Sequence, residues 1–422
     1  LLYIKHGTVS LIAVHWTGLG SVDRDKVEGR RRFGLRLVSA IMQPMAAEKT
    51  ITEIARLCAD CGTCQSACPV YGAELSEPNS PRGKVNLIKA VDDGRLPANA
   101  LNRKLFYQCL VCGGCEQACP NGVEFTSMMI DYRNRIANRH RIPLLKKLLL
   151  FFYQSFVLRK LLWLPKLLAR TPLKKKLFLP SFQNTNLKKI RSSNRTKEYD
   201  VLLFPGCVLT YFYSEKIAAI KALLEKQGFS VAYPPKLQCC GFPYLSQGWG
   251  KKFVSLKKKN QKIFATYNFK CLVVPCSTGV LAFKKYYDLP GIEIFEFGEF
   301  LYKFRPEAAV DPEFARQFPG PFTYHDPCHN LKSLRLQKEA RHFLEQFGDR
   351  YIDDVSALCC GFGGIFKVGF PSTSAKILAK KTTKLNEIGA GAVVTSCPGC
   401  FMQLKESLPI PVYFFNDIFK NQ

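Results

Sequence analysis

Cys58-Ala59-Asp60-Cys61-Gly62-Thr63-Cys64-Gln65-Ser66-Ala67-Cys68-Pro69 is answered 51 residues later by Cys109-Leu110-Val111-Cys112-Gly113-Gly114-Cys115-Glu116-Gln117-Ala118-Cys119-Pro120. Both copies space their thiols as C-x-x-C-x-x-C-x-x-x-C-P. Three thiolates at these intervals fit on one tight loop and can cap three irons of a [4Fe–4S] cube. The fourth stands just ahead of a proline that fixes φ, and it points away from that loop. Soft thiolates also suit zinc, but zinc sites draw on two separated pairs of ligands, which neither run resembles.

In two-cluster ferredoxins the fourth cysteine of each run ligates the other cluster. The expectation is therefore one [4Fe–4S] cluster on Cys58, Cys61, Cys64 and Cys119, and a second on Cys109, Cys112, Cys115 and Cys68. Crossed ligation keeps two such cubes near enough for rapid electron transfer.

The chain of 422 residues is too long for one compact ferredoxin and, at 47% hydrophobic, is ample for further cores. Eighteen cysteines point to metal binding in a reducing compartment rather than to a disulfide framework, so a cytoplasmic location is expected. The net charge of +28 is concentrated: residues 132–197 hold 18 Lys or Arg and no acidic residue. Such a stripe attracts nucleic acid, an acidic protein or an anionic bilayer.

In chain order, residues 1–44 have no clear periodicity and read as a disordered extension or a start assigned too far upstream; Arg30-Arg31-Arg32-Phe33 carries a weaker export reading. Residues 45–140 form the ferredoxin-type domain, opening on a helix over 50–58. Residues 141–198 form a basic, amphipathic helical linker. Within it, Pro143 to Pro180 is Leu- and Phe-rich between lysines and arginines, and its longest uncharged part, Leu148 to Leu158, is far short of the roughly 20 residues that span a bilayer. Basic residues beside Phe, Trp163 and Leu suit peripheral contact with an anionic membrane face better than nucleic acid.

From Tyr199 the texture becomes alternating strand and helix, which argues for parallel sheets with helices on their faces. Modules over 199–320 and 321–422 repeat one another: Cys207, Cys239, Cys240 and Cys276 recur as Cys328, Cys359, Cys360 and Cys397 at offsets of 120 or 121 residues. That agreement marks an internal duplication, with the two halves expected to be related by a pseudo-two-fold axis. The fold class is α+β overall: a mainly helical ferredoxin-type domain, then a duplicated α/β cysteine-rich domain. Ligands in open α/β sheets gather beyond the carboxyl ends of the strands, where each module places its cysteines.

Two resemblances become specific at this point. The order of first cysteine run, Ser80-Pro81-Arg82-Gly83-Lys84, second run and Pro120-Asn121-Gly122-Val123 resembles the iron–sulfur subunit of glycolate oxidase and related flavin-linked 2-hydroxy-acid (D-lactate) dehydrogenases. The set Cys328, Cys359-Cys360-Gly361 and Cys397-Pro398-Gly399-Cys400 is similar to the cysteine-rich (CCG) domain of heterodisulfide reductases, which implies a non-cubane [4Fe–4S] cluster on those five cysteines. The first module departs from that pattern, with Gly279 in the last cysteine's place; its Cys207, Cys239, Cys240 and Cys276 could hold a cubane, zinc, a reduced form of the unusual cluster or nothing. Cys271 reads as a buried apolar residue. His325, Asp326 and His329 flank Cys328 as hydrogen-bond or proton donors, or as plain loop residues. Gly361-Phe362-Gly363-Gly364 suits close backbone approach to a cluster better than a phosphate loop.

The resemblance implies an electron-transfer subunit that takes electrons from an FAD-bearing partner, carries no flavin itself, and passes them to quinone or another carrier. A heterodisulfide-reductase-like subunit is the rival reading.

Overall fold

The computed structural model describes two short strands near the N-terminus, residues 50–139 and residues 187–420, apart from positions 98 and 193. The expectations for the N-terminal extension otherwise, and for the basic segment 143–180, lie outside the described residues. Residues 1–48 form a unit of their own, in which β1 (Ile4–Lys5) pairs antiparallel with β2 (Thr8–Val9). Residues 49–422 form the other.

The cysteine-run region is built from short helices. Thr50 caps the helix Ile51–Arg56 through a reciprocal bond with Glu53, and Ile51, Ile54 and Ala55 bury one face. Ser80 accepts from the Gly83 N–H at 2.9 Å and starts the helix Pro81–Asp92, with Pro81 at its first position, where no donor is lost. These helices and Phe125–Arg139 enclose a small core of Val85, Ile88, Phe106, Met128 and Met129.

Two four-stranded parallel sheets follow. The first is ordered β4 (Val231–Ala232), β3 (Glu198–Leu203), β5 (Asn268–Val274), β6 (Glu293–Glu296). The second is ordered β8 (Tyr351–Ile352), β7 (Phe322–Tyr324), β9 (Ala392–Thr395), β10 (Val412–Phe414). Each half thus lays its strands in the order second, first, third, fourth, and the duplication legible in the cysteine spacing is a duplication of fold.

Strand alternation assigns the packing. Val201, Leu203, Cys271 and Val273 face a core shared by both modules, while Leu202, Phe204, Leu272 and Val274 face a second core that reaches Val111 of the ferredoxin-type region. Tyr213 stacks edge-on to Phe401 at 4.9 Å, and Lys216 pairs with Asp417 at 2.7 Å, so each module seals the other. The apolar run that opens at Tyr351 reads from sequence as a strand to Val355, but the strand ends at Ile352 and Val355 is exposed. No helix among the described residues is long and apolar enough to cross a membrane.

Candidate metal centres

The two cysteine runs fold as the same loop. In the first, Asp60 and Gly62 take positive φ (55° and 83°); in the second, Val111 and Gly113 do so (52° and 81°), again 51 residues on. Gly is at home in that region, whereas Asp60 and Val111 are held there by the surrounding loop. Cys68 caps the helix Pro69–Glu74, its Sγ accepting the Tyr71 N–H at 3.4 Å.

The fold sorts the eight thiols into two groups. Cys68, Cys109, Cys112 and Cys115 line one cavity, together with Lys84. Burial pushes the thiols of Cys68 and Cys112 up to about 11, and the nearby thiolate charges, Cys112 and Cys109 on Cys68 and Cys328 and Cys109 on Cys112, push the same way. Cys64 keeps the company of Cys58 and Cys119, whose charges add to the upward push of burial. Cys61 is exposed, and Cys58 Sγ lies 3.7 Å from the Asp60 carboxylate.

The cysteine-rich modules place their thiols at the carboxyl ends of the strands. Gly241 and Gly361, each last in a Cys-Cys-Gly triplet, have φ of 86° and 77° and donate their N–H to Cys239 and Cys359 at 3.4 and 3.3 Å. A Cβ would meet the Phe253 ring at 2.7 Å in one case and the Ser374 carbonyl at 2.6 Å in the other. The glycine therefore lets two adjacent thiols turn toward one centre.

In the second module the free thiols Cys328 and Cys359, Cys359 and Cys360, and Cys397 and Cys400 lie within hydrogen-bonding reach of one another, and the Cys360 and Cys400 sulfurs are 3.5 Å apart. Bonds from Cys359 and Cys400 bring Cys360 down to about 5, favouring the thiolate. In the first module Cys207, Cys239 and Cys240 form a similar chain, and Cys276 reaches across to Cys397. The thiols of both modules are therefore continuous. Cys271 stays apart, donating to the Asp200 carbonyl at 3.4 Å. A Cβ on Gly279 would sit 2.8 Å from Val274 Cγ1 and 3.8 Å from Cys276 Sγ. Val274 has closed in where a fifth thiol would stand.

The three residues around Cys328 separate. His325 is 0% exposed, neither ring nitrogen has a hydrogen-bond partner among the described residues, and its nitrogen lies within 4.8 Å of the Cys360 and Cys400 sulfurs. Burial holds it neutral, its pKa lowered to about 3. Asp326 is engaged by Arg341 at 2.7 Å. His329, also kept neutral by burial, donates from Nε2 to the Val111 carbonyl at 3.0 Å and accepts at Nδ1 from Thr278 at 2.9 Å. It thus joins the second cysteine loop to the first module. In the glycine cluster after Cys360, a Cβ on Gly363 would overlap Leu110, so the open backbone there receives the cysteine loop.

Sequence reasoning missed three residues. The basic pair Arg82 and Lys84 offers either a solvated surface, the default for such a pair, or charges facing an anion or the clusters; Lys84 is 2% exposed, whereas Arg82 lies at the surface paired with Glu77 at 2.8 Å. Arg133 is buried, donating to the carbonyls of Phe106, Cys109 and Ser246. Lys332 sits in the π-helical turn His329–Leu334, with Cys112, Cys328 and Cys359 raising its pKa against the opposing effect of burial. Their charge was legible, but their burial was not.

Comparison with known proteins agrees with this build. Residues 54–123 match the 4Fe-4S dicluster domain family, and residues 201–284 and 322–405 each match the cysteine-rich domain family. The chain therefore joins a 4Fe-4S dicluster domain to a duplicated cysteine-rich domain, a build that implies electron transfer. Within that class it is similar to the iron–sulfur subunits of oxidoreductases. It is 26% identical to the probable glycolate oxidase iron-sulfur subunit of Bacillus subtilis over 82% of this chain and 88% of that one. It is also 26% identical to the glycolate oxidase iron-sulfur subunit of Escherichia coli (82% and 89%) and to a fumarate reductase (CoM/CoB) subunit of Methanothermobacter marburgensis (92% and 76%).

Proposed function

We propose that this chain is the electron-transfer subunit of a 2-hydroxy-acid dehydrogenase, of the glycolate or D-lactate type. A partner subunit carrying FAD would oxidise the acid, and quinone or another carrier would receive the electrons. The carrying observation is the grouping of the thiols: Cys64 with Cys58 and Cys119, the cavity of Cys68, Cys109, Cys112 and Cys115, Cys112 facing Cys328, and Cys397 against Cys276.

The donor set fits clusters. Cys58, Cys61, Cys64 and Cys119 would hold one [4Fe–4S] cluster, and Cys109, Cys112, Cys115 and Cys68 the second. Cys328, Cys359, Cys360, Cys397 and Cys400 would hold a non-cubane cluster, with His325 against it. Cys207, Cys239, Cys240 and Cys276 offer four thiols, enough for zinc or a four-ligand cluster. Bound clusters supply one-electron carriage. The chain's own part is to exclude water from the strand-end thiols, to hold His325 neutral, and to set the spacing through His329. We place the protein in the cytoplasm, with residues 143–180 in peripheral contact with the inner face of the membrane.

One observation favours a second reading, a heterodisulfide-reductase-like subunit: a buried, unpartnered, neutral His325 beside the Cys360 and Cys400 thiols would suit thiol–disulfide work. Anaerobic purification through a C-terminal tag, with iron counted and co-purifying proteins identified, separates the two. About eight or more irons with a flavoprotein that reduces an acceptor on glycolate or lactate establishes the first. Iron without flavin, but with disulfide reduction, establishes the second.

A further inference from the structure

Resting on the cluster reading above, we propose that the buried Lys84 and Arg133 and the half-buried Lys332 form a cationic cage that gives the cluster at Cys68, Cys109, Cys112 and Cys115 a more positive reduction potential than its neighbour at Cys58, Cys61, Cys64 and Cys119.

The three cations come from separate elements. Lys84, on the helix Pro81–Asp92, lines the four-thiol cavity and spends its ammonium on two carbonyls, Asn79 at 2.5 Å and Pro78 at 3.5 Å. Arg133 donates to Phe106 at 2.8 Å, to the carbonyl of Cys109 itself at 2.8 Å and to Ser246 at 2.5 Å. The Lys332 ammonium lies 3.2 Å from the position of a Cβ on Gly114, against the backbone between Cys112 and Cys115. None of the three pairs with a carboxylate among the described residues.

A buried charge with only carbonyl dipoles around it is costly, by several kcal/mol; the fold keeps two of them, Lys84 and Arg133, beside one cavity, and adds the half-buried Lys332. The thiolates lining that cavity are the available counter-charge. One carboxylate, Glu116, is on this side, but it is bonded by the Thr126 amide at 3.0 Å and faces Lys285 at 3.7 Å. The other thiol group differs. Asp60 lies 3.7 Å from Cys58, where it opposes the charge of Lys89, and the neighbouring Arg82 is already neutralised by Glu77. A fixed cation favours the state that holds the extra electron and a fixed carboxylate disfavours it, and buried charges are little screened by salt. Electrons entering at the exposed Cys61 edge therefore run downhill to the cavity that adjoins Cys328 and Cys359.

Redox titration of the anaerobic protein, followed by electron paramagnetic resonance, tests this with Lys332→Met, Lys84→Met and their arginine counterparts. Lys332 makes no protein hydrogen bond among the described residues, so methionine there orphans nothing, and this variant is decisive. The expected result is a fall in the midpoint of one cubane by about a tenfold change in its reduction equilibrium, ~59 mV for a one-electron couple, with the other cubane unmoved and with arginine restoring it. Unmoved midpoints, or equal shifts of both, overturn the proposal. Should a methionine variant lose its cluster, the arginine variant decides: a wild-type midpoint supports the charge role, and a shifted one contradicts it. Wild-type protein without iron would remove the cluster reading itself, whereas full iron with unmoved potentials removes the cage alone.

Discussion

His325 is the residue whose surroundings fit least with a purely structural role. A buried imidazole with both nitrogens unpartnered forfeits its hydrogen bonds, so replacing it with an apolar side chain of similar size should be close to neutral for folding. We expect His325→Leu to melt within a few degrees of wild type and to retain both cubane signals, while the signal of the second cysteine-rich site changes or disappears. Thermal unfolding together with paramagnetic resonance checks both halves of that statement. The cysteines of this site could be read from sequence because their spacing is local and repeated. The approach of His325 to Cys360 and Cys400 could not, because it depends on strands β7 and β8 pairing across intervening helices.

Among the elements, the helix Phe297–Phe304 carries a pH-dependent cap. Glu296 accepts the Gly298 N–H at 2.6 Å, yet its other oxygen has no partner among the described residues, and burial raises its pKa from 4.5 to about 8. The folded pKa lies above the unfolded one, so the fold favours the protonated carboxyl. Stability is full below about pH 4.5 and declines as the pH rises to about 8. Glu296→Gln keeps the cap and should flatten that decline, as denaturant unfolding across this range would reveal. The Cys-Cys-Gly turns make a second case. Gly361→Ala meets both a positive φ and the Ser374 carbonyl, and should cost about 1–3 kcal/mol and lower iron at the second module alone. Continuous apolar runs made the central strands readable in advance. The edge strands β6 and β10 escaped because they are short, with only two and three apolar residues bounded by Glu293 and Glu296 and by Pro411, and an edge strand is recognised by the partner it meets.

For the whole molecule, His329 is the junction. It holds the Val111 carbonyl and the Thr278 hydroxyl at once, 218 and 51 residues away in the chain. His329→Ala orphans both, at about 1–3 kcal/mol per buried group. Hydrogen exchange should quicken together around Val111–Gly113 and Thr278, with the strand cores unchanged; quickening at one place only would deny the junction. Domain content and duplication were legible from cysteine spacing. The way the pieces close on one another was not, because it rests on single contacts between residues with no shared pattern, such as Gly363 beneath Leu110.

The two halves of the duplicated region have also lost their interchangeability, and the place where that happened is visible at Gly279. With Val274 Cγ1 2.8 Å from where a side chain would begin, a cysteine at 279 has to displace that valine, so offering the first half a fifth thiol means changing position 274 together with position 279 or moving the strand end between them.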